Sequence, residues 1–473
     1  MKILLVNPPR IEKLSRRPSS VHEPPLGLAY VLSYLKARGR DADVLDCQAE
    51  SLSLEQAVHR ILATGADYVG ITAHTALVHA AAALSEALKR RNPFVKTILG
   101  GYHATCLPEA SLREFPTFDF CIYGEGEISL AEMLETMDRG RPLARVKGLA
   151  LRENGTIRVN PPRPMIQDLD SLPFPLWHEF PLDLYVPHYN AGLRHREIPL
   201  STGRGCIGRC AMCARVTGER VRFRSIDNIF AEIEQDVFRY NARSLVFMDE
   251  TFTVQPQRVE EICDRLIREG YPKRIFWLCE TRVNHVHRGL FRTMARAGCR
   301  HVSFGIESGN QEILNKLSKG ITLAQARDAV QWAKEAGIIV DNFFIIGLPY
   351  ETEQTIRDTI RFALSLPSDF ANFFIMVPYP GTKAMEMART GQGGLKLLST
   401  DWRHYGIQMG KALELEGVPR SKLELYQFLA YALFYFRPSR IGNMLKIVNL
   451  KMVPVYFGNI LRGMIPRRHA GEK

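Results

Sequence analysis

Three cysteines lie within eight residues of this chain: Cys206, Cys210 and Cys213, with the spacing C-x3-C-x2-C. Cysteine thiolates bind metals, and iron–sulfur clusters usually take four of them. Three thiolates on one tight loop would leave one iron without a protein ligand and open to a chelating substrate. Glycines at 203, 205 and 208 allow the loop to wrap closely around a cluster. The spacing therefore predicts an iron–sulfur site with one open iron.

The chain has nine cysteines, and the other six are scattered singly, as is typical of buried core residues. A cysteine cluster in a chain without a secretion signal indicates metal or redox chemistry rather than disulfides. The alternative is a structural zinc site with a fourth ligand such as His195. Structural zinc ligands usually come as two pairs, and the sequence has no second pair.

The cysteines directly follow the first of six short apolar segments that alternate with helical patterns, for instance over residues 227–240 and 322–336. Six strands with intervening helices predict a partial (β/α)6 barrel of the TIM type, with its chemistry on the C-terminal rim. The predicted strands are residues 198–202, 244–248, 276–279, 301–305, 340–346 and 372–376.

A C-x3-C-x2-C loop at the end of a barrel's first strand resembles the radical S-adenosylmethionine (SAM) superfamily. The resemblance implies that Cys206, Cys210 and Cys213 hold a [4Fe–4S] cluster and that SAM chelates the open iron. Reduction of the cluster would then cleave SAM to methionine and a 5′-deoxyadenosyl radical. The family usually has an aromatic residue before the last cysteine, whereas this chain has Met212.

The ends of the later predicted strands carry further motifs of the superfamily, and the match spans residues 196–385. Met248-Asp-Glu-Thr251 would accept the SAM ammonium, and Ser303-Phe-Gly-Ile-Glu307 would bind the ribose. Arg282 would meet the SAM carboxylate, and Ile345-Ile-Gly347-Leu-Pro349 would pass the adenine. The implied SAM-binding residues are Asp249, Glu250, Arg282, Ser303, Glu307 and Gly347.

Residues 1 to about 140 also alternate short apolar runs with amphipathic ones. Buried-type strands separated by helices predict an α/β fold with a Rossmann-like, doubly wound parallel sheet. Ligands of such sheets bind at the carboxyl ends of the strands. The predicted strands are residues 2–6, 42–46, 67–72, 96–99 and 119–122, and the predicted helices are residues 27–38, 54–63, 75–91, 107–114 and 127–138.

A Rossmann-like domain in front of the barrel resembles the cobalamin-dependent subclass, whose members often begin with patterns such as Leu4-Leu-Val-Asn7-Pro-Pro9. The motif D-x-H-x-x-G is absent, and Asn7-Pro-Pro-Arg10 stands in its place, so no histidine is predicted below the cobalt. The alternative is a flavodoxin-like domain that serves packing or substrate binding. The implied cobalamin contacts are Asn7, Pro8, Thr72, Gly100, Gly101, His103, Gly124 and Glu125.

We expect four segments: a cobalamin-binding domain (1–145), a hairpin around Asn154-Gly155 with a proline-rich linker (146–195), the barrel (196–385) and a basic helical region (386–473). The segment from Phe434 onward contains eight lysines and arginines and one glutamate, so it contributes +7 of the net charge of +12. This distribution argues against a nucleic-acid partner. The tail is interpreted either as a helical cap on the barrel or as a peripheral contact with anionic membrane lipid.

The sequence has neither a signal peptide nor a run of roughly 18 apolar residues, which predicts a cytoplasmic protein. The resemblance implies methylation of an unactivated carbon or phosphorus in a small molecule. If the tail contacts membrane lipid, we expect this substrate to be hydrophobic. An external electron donor of the flavodoxin or ferredoxin type would reduce the cluster. One SAM would be the radical source and a second would supply the methyl group through cobalamin.

Three alternatives differ in their requirements. Ring closure or rearrangement, as in the anaerobic magnesium-protoporphyrin monomethyl ester cyclase, needs the same layout. A tRNA methylthiotransferase needs three more clustered cysteines, whereas Cys47, Cys106 and Cys121 lie on separate segments. A non-enzymatic iron–sulfur redox or metal-sensing module needs a protected cluster with four ligands, and the sequence has no obvious fourth ligand.

Overall fold

The structure, a computed structural model, describes residues 1–10, 23–153, 155–187, 195–406 and 410–437. It begins with a seven-stranded sheet in the order β2-β1-β3-β4-β5-β6-β7, of which the first five strands are parallel. These five are β1 (Ile3–Asn7), β2 (Ala42–Asp46), β3 (Tyr68–Thr72), β4 (Lys96–Gly100) and β5 (Phe120–Ile122).

Helices cover both faces of this sheet. Ile3 and Leu5 of β1 pack in one apolar core, whereas the alternating Leu4 and Val6 pack in a second core on the opposite face. The strands are therefore buried on both sides, and the predicted doubly wound sheet is confirmed. The helices are α1 (Leu26–Ala37), α2 (Leu54–Ala63), α3 (Val78–Arg91), α4 (Tyr102–Cys106), α5 (Pro108–Glu114) and α6 (Gly126–Asp138).

The predicted hairpin forms from β6 (Leu149–Glu153) and β7 (Thr156–Val159), with Asn154 outside the described residues. It was expected within the linker, but β6 pairs antiparallel with β5 and extends the N-terminal sheet. The pairing satisfies backbone groups that β5 would otherwise leave unpaired at the sheet edge. Beyond the hairpin, the proline-rich segment contains three short 3-10 turns and the fully buried Trp177.

The second sheet has six parallel strands in the order β15-β14-β13-β12-β11-β8, which confirms the partial (β/α)6 barrel. A separate two-stranded ribbon, β9 with β10, follows the first barrel strand. The strands are β8 (Arg196–Leu200), β9 (Gly203–Arg204), β10 (Arg222–Phe223), β11 (Ala242–Phe247), β12 (Phe276–Thr281), β13 (Cys299–Glu307), β14 (Ile339–Ile346) and β15 (Phe370–Ile375).

Helices alternate with the barrel strands. The helix predicted over 227–240 is shorter than expected, because α7 ends at Glu234 and continues as a π-helical turn over Gln235–Arg239. The helices are α7 (Ile226–Glu234), α8 (Pro256–Arg268), α9 (Arg288–Arg296), α10 (Gln311–Lys316), α11 (Leu323–Glu335), α12 (Glu353–Ser365), α13 (Lys383–Thr390) and α14 (Arg420–Tyr435).

The region predicted as helical beyond residue 386 also contains an antiparallel pair, β16 (Leu395–Leu397) with β17 (Leu413–Leu415). Three-residue strands are too short to produce a readable alternation of apolar and polar residues. The basic tail after residue 437, including the predicted lipid contact, lies outside the described residues. Within the described ranges, no helix is both long enough and apolar enough to span a bilayer.

Helix α14 covers the open edge of the barrel at β15. Gln427 Nε2 donates to the Phe373 carbonyl at 2.7 Å, and Tyr431 Oη accepts from the Phe373 N–H at 3.2 Å. Tyr435 Oη accepts from the Ala371 N–H at 3.1 Å and donates to the Ala371 carbonyl at 3.0 Å. These three side chains stand four residues apart on one helix face. They supply hydrogen bonds to the outer edge of β15, which pairs with no further strand in the described part of the chain.

We predict that the double substitution Tyr431→Phe/Tyr435→Phe lowers the free energy of unfolding by about 2–4 kcal/mol, because backbone groups of β15 lose their partners. Urea unfolding of the full chain measures the change. Tyr350→Phe is the matched control, since its hydroxyl accepts a hydrogen bond at the surface from Gln392 Nε2 at 3.3 Å. Equal stability of the double variant and the wild type would refute the sealing role of α14.

Candidate active site

The three cysteines lie on a loop over residues 205–221, called the cluster loop here, which the ribbon of β9 and β10 closes. Cys206 N–H donates to the Gly218 carbonyl at 3.1 Å, which keeps the loop compact. Gly205 has φ +107°, and a Cβ there would lie 2.2 Å from the Arg220 carbonyl oxygen. A Cβ on Gly208 would lie 3.3 Å from Cys206 Sγ and 3.7 Å from Cys210 Sγ. The loop therefore requires glycine at 205, and the small residue at 208 leaves room for the two sulfur atoms.

Positive charge surrounds Cys210. The Arg282 guanidinium donates to Cys210 Sγ at 3.5 Å through Nη1 and to the Lys319 carbonyl through Nη2. A hydrogen bond from Cys213 lowers the pKa of the Cys210 thiol, and the charges of Lys319 and Arg282 lower it further. This environment favours the thiolate, which is the form that binds iron.

The geometry does not support the zinc alternative. His195 precedes β8 and lies against Phe276 at a ring distance of 5.4 Å, whereas the cysteines follow the opposite, carboxyl end of β8. In the part of the chain that the structure describes, no three His, Cys, Asp or Glu side chains converge on a point where one ion would bind. A cluster does not require such convergence, because each of its thiolates binds a different iron.

Asp249 and Glu250, predicted for the SAM ammonium, follow the carboxyl end of β11 and contact the start of the cluster loop. The Asp249 carboxylate accepts from the Thr202 N–H at 3.0 Å and from the Thr202 hydroxyl at 2.9 Å. Burial raises the pKa of Asp249 to about 6, against the lowering by these hydrogen bonds. Glu250 accepts from the Gly205 N–H at 3.2 Å and from the Thr217 hydroxyl. Glu250 therefore binds the residue that precedes Cys206, whereas Asp249 binds Thr202, directly before the ribbon.

Glu307, predicted for the ribose, ends β13 with φ +72°, in the left-handed region that a side chain rarely adopts. Its Oε1 accepts from Lys319 Nζ at 2.7 Å and folds over Gly305, where a Cβ would lie 2.6 Å from that oxygen. Ser303 is buried on the same strand, opposite Glu280 of β12 and Asp341 of β14. Arg282 and Glu307 both contact Lys319, so the ends of β12 and β13 meet near Cys210.

Gly347, predicted to pass the adenine, follows β14 with φ +85°, and a Cβ there would lie 3.2 Å from Leu423 of α14. Glu351 Oε2 accepts from the N–H groups of Gly347 and Leu348 at 2.8 and 3.0 Å. Its other oxygen, Oε1, is buried and has no hydrogen-bond partner among the described residues. Burial raises the pKa of Glu351 to about 8, so the carboxyl is mostly protonated at neutral pH.

The predicted cobalamin residues gather at the carboxyl edge of the N-terminal sheet. Asn7 Nδ2 donates to Asp46 at 2.9 Å, and Gln48 Nε2 donates to Asn7 Oδ1 and the Pro8 carbonyl, each at 3.1 Å. These bonds order the end of β1 at the switch point between β1 and β3, where doubly wound sheets bind ligands.

Two glycines at the end of β4 have different roles. A Cβ on Gly100 would meet no atom within 4 Å, so open space lies beside this backbone. Gly101 has φ +91°, and its Cβ would lie 2.7 Å from Thr72 Oγ1 and 2.9 Å from the Ala73 carbonyl oxygen. The turn itself therefore requires Gly101, whereas the space beside Gly100 is open.

His103 and Glu125 do not face open space. The His103 ring is fully buried against Trp402 at 5.1 Å, and burial lowers its pKa to about 4, so it is a neutral core residue. Glu125 accepts from Arg204 at 2.9 Å, from Arg222 at 3.0 Å and from the Ile166 N–H at 2.6 Å. These contacts do not support either side chain as a cobalamin contact. Gly124, with φ +79°, starts the loop that carries Glu125.

Comparisons with known proteins agree with this geometry. The family model of the radical SAM superfamily matches residues 200–363, and that of the B12 binding domain matches residues 18–134. An uncharacterized methyltransferase of Pyrococcus horikoshii is 35% identical over 443 residues, 93% of either chain. The chain belongs to the cobalamin-binding radical SAM enzymes. Its cofactors are a [4Fe–4S] cluster, SAM and cobalamin, and its chemistry needs a reductant.

Two further similarities come from an enzyme of another reaction type and from a solved structure. An anaerobic magnesium-protoporphyrin IX monomethyl ester cyclase of Rubrivivax gelatinosus is 31% identical over 367 residues, 76% of this chain and 65% of the cyclase. The radical SAM methyltransferase TsrM of Kitasatospora setae, solved with cobalamin and a [4Fe–4S] cluster, has a TM-score of 0.72 at 18% identity. That alignment covers 93% of this chain and 90% of TsrM, and it supports the shared fold.

Sequence reasoning about this radical SAM enzyme missed Lys319 and gave Glu351 no role. Lys319 lies in the turn between α10 and α11, and a lone lysine outside a strand end gives no signal that it will reach Glu307. Glu351 follows the quoted Gly347-Leu-Pro349 segment, but only the fold reveals that its carboxyl is buried. Arg204 and Arg222 were also missed, because their partners lie about 80 and 100 residues earlier.

We predict that Glu351→Gln flattens the pH dependence of stability. The Glu351 pKa is raised from 4.5 to about 8, so its contribution to stability is complete below pH 4.5 and is lost as the pH rises towards 8. The decrease in the free energy of unfolding between pH 5.5 and 7.5 should therefore be about 2 kcal/mol smaller in the variant. Urea unfolding at both pH values measures it, with the exposed Glu86→Gln as control. An unchanged difference in Glu351→Gln would contradict the assignment.

Proposed function

We propose that this radical SAM enzyme is a cobalamin-dependent methyltransferase that methylates an unactivated carbon or phosphorus of a small molecule. The observation that carries the proposal is the meeting of the two carboxyl edges. Cys106, after β4, packs against Gly381 of the loop after β15, where a Cβ would lie 2.8 Å from Cys106 Sγ and 3.4 Å from Ala214 Cβ. Ala214 directly follows the last cluster cysteine, so a substrate at this junction can reach both cofactor sites.

The residues around the cluster have distinct roles in this proposal. Cys206, Cys210 and Cys213 hold the cluster, and Arg282 and Lys319 offset the negative charge of the thiolates. Because Lys319 is also paired with Glu307, the position of the ribose-binding carboxylate depends on the same lysine that faces Cys210. Reduction and SAM binding are therefore tied to one charge network.

SAM is held by the ends of four barrel strands. Asp249 and Glu250 face its ammonium, Arg282 its carboxylate and Glu307 its ribose, and Gly347 gives the adenine a flat backbone surface. Ser303 adds a hydroxyl on the same strand as Glu307. The protonated Glu351 fixes the backbone at Gly347 without placing a negative charge there.

Cobalamin is held at the carboxyl edge of the N-terminal sheet, where Asn7, Pro8 and Thr72 shape the strand ends and Gly100 leaves room for the nucleotide tail. The bound groups supply the chemistry: the reduced cluster provides the electron that cleaves SAM, and cobalamin carries the methyl group. A donor of the flavodoxin or ferredoxin type is proposed as the reductant. The protein's own part is to hold the three groups and the substrate at one junction.

Ring closure or rearrangement is the alternative, since a cyclase is also among the relatives. The methyltransferase relative matches at higher identity and over nearly the full length of both chains, and this favours methylation. Product analysis separates the two reactions. Methylation yields S-adenosylhomocysteine together with 5′-deoxyadenosine, whereas cyclisation or rearrangement yields 5′-deoxyadenosine without S-adenosylhomocysteine.

We predict that the triple variant Cys206→Ala/Cys210→Ala/Cys213→Ala forms no 5′-deoxyadenosine from SAM, because no thiolate remains to hold the cluster. The measurement is anaerobic incubation of the reconstituted protein with SAM and reductant, followed by chromatography of the products. Cys263→Ala, which removes a buried thiol of α8 far along the chain from the loop, should retain the activity. Deoxyadenosine formation by the triple variant would overturn the proposed function.

We predict that Gly100→Val weakens the binding of hydroxocobalamin at least about tenfold while the melting temperature stays close to that of the wild type. The added side chain would point into space that no protein atom within 4 Å occupies, so folding tolerates it and the ligand does not. Equilibrium titration followed by the absorbance of the corrin measures the affinity. Wild-type affinity in Gly100→Val would place cobalamin elsewhere.

A further inference from the structure

The cluster loop begins next to the half-buried Arg204 and ends next to the buried Arg222. Arg204 is the last residue of β9 and Arg222 is the first residue of β10, and the two pair directly in the antiparallel ribbon. All three cluster cysteines lie between them. Any group that holds these guanidinium groups therefore fixes the two ends of the loop.

Both arginines are held by the N-terminal sheet. Arg204 donates to Glu125 Oε1 at 2.9 Å and to Glu127 Oε1 at 2.7 Å. Arg222 donates to both Glu125 oxygens at 3.0 Å. The two glutamates follow β5 at the carboxyl edge where cobalamin is proposed to bind. The charged side chains are 5 to 15% exposed, so solvent screens them little.

The contacts continue into the cluster loop itself. Arg222 also donates to the Thr217 carbonyl at 2.5 Å, and the Thr217 hydroxyl donates to Glu250, which in turn accepts from the Gly205 N–H. On the other side, the Arg204 guanidinium lies 5.0 Å from the ring centre of Tyr30 in α1. A continuous chain of hydrogen bonds thus runs from the loop after β5 to the first residue of the cluster loop.

A buried network of this kind costs desolvation energy, and hydrophobic residues of similar volume often stabilise a fold equally well. What the charges add is geometry, because a guanidinium fork binds carboxylates in a fixed plane and at fixed distances. The position of the network, between two proposed cofactor sites, indicates what that geometry serves.

We propose that Glu125 and Glu127 are positioning residues that couple the cobalamin edge to the cluster loop. Binding of one cofactor then changes the affinity for the other. The inference rests on the proposed function, since it takes cobalamin to bind next to Gly100 and Gly124. Binding couplings are reciprocal. The cluster must therefore strengthen the binding of cobalamin by the same factor by which cobalamin strengthens the binding of the cluster.

The experiment compares the affinity for hydroxocobalamin of the full chain with its cluster reconstituted and after the cluster is removed by a chelator. In the wild type we expect binding to be at least about fivefold tighter with the cluster present. In Glu125→Gln/Glu127→Gln we expect this ratio to fall to about one. Hydrogen exchange of residues 205–221 gives a second readout: hydroxocobalamin should slow it in the wild type and not in the variant.

Two variants separate coupling from general stability. Glu179 lies in the proline-rich segment and pairs with Lys36 of α1 at 2.5 Å. Glu179→Gln removes this other carboxylate and should retain the wild-type affinity ratio. Arg204→Lys keeps the positive charge, but an ammonium group cannot bind both glutamates as a guanidinium fork does. This variant should therefore lower the affinity ratio, and it tests the inference independently if the double variant fails to fold.

The outcomes are distinguishable. A ratio in Glu125→Gln/Glu127→Gln or Arg204→Lys that equals the wild-type ratio, with only the melting temperature lowered, would show a purely structural network and overturn the inference. A wild-type ratio of one would overturn it as well. Absence of hydroxocobalamin binding by the wild type in either state would overturn the proposed function, and the inference with it.

Discussion

The ion pairs of Glu125 with Arg204 and Arg222 join the carboxyl edge of the N-terminal sheet to the β9–β10 ribbon, which follows the first barrel strand. A parallel sheet presents its ligands at one edge only, so an enzyme with two such sheets can use both sites on one substrate only if the two edges face each other. One apolar core runs across the junction and includes Ile3 of β1, Trp177 of the connecting segment and Ile198 of β8. The core holds the two sheets together, and the charged contact fixes the β9–β10 ribbon against the carboxyl edge of the N-terminal sheet.

The six-stranded barrel has a cost that the C-terminal helix offsets. A closed barrel has no edge, whereas a partial barrel exposes the backbone of its last strand. Gln427, Tyr431 and Tyr435 supply the missing hydrogen bonds from α14. The same helix places Leu423 against Gly347, so the element that covers the open edge also supports a proposed SAM-binding segment.

Charged side chains near the cluster loop contact one another in sequence. Arg282 and Lys319 favour the thiolate of Cys210, and Glu307 balances Lys319. Glu307 reaches that position by adopting φ +72° at a register shift in β13, a strained conformation of the kind that functional sites often hold. Glu351 is different, because burial keeps its carboxyl protonated and allows it to order Gly347 as a neutral group.

Elements with a strong local signal were predictable from the residues alone. The alternation of apolar runs and amphipathic segments predicted both parallel sheets, because strands buried on two faces consist mostly of apolar residues. The spacing of Cys206, Cys210 and Cys213 with Gly205 and Gly208 predicted the cluster loop, because ligands on one short loop must act together whatever the rest of the fold. Strand-end positions predicted Asp249, Glu250, Glu307 and Gly347 for the same rim of the barrel.

Contacts between distant segments depended on the tertiary structure. Nothing in the local sequence distinguishes Glu125, which binds two arginines, from a glutamate at a ligand site. The local sequence likewise does not indicate that Trp402, nearly 300 residues further along the chain, encloses His103. Lys319 and α14 acquire their roles only when the strands assemble and leave a charge or an edge to be satisfied. Local patterns determine which elements form and which residues stand at their ends, whereas burial and charge pairing are properties of the assembled surfaces and appear only in three dimensions.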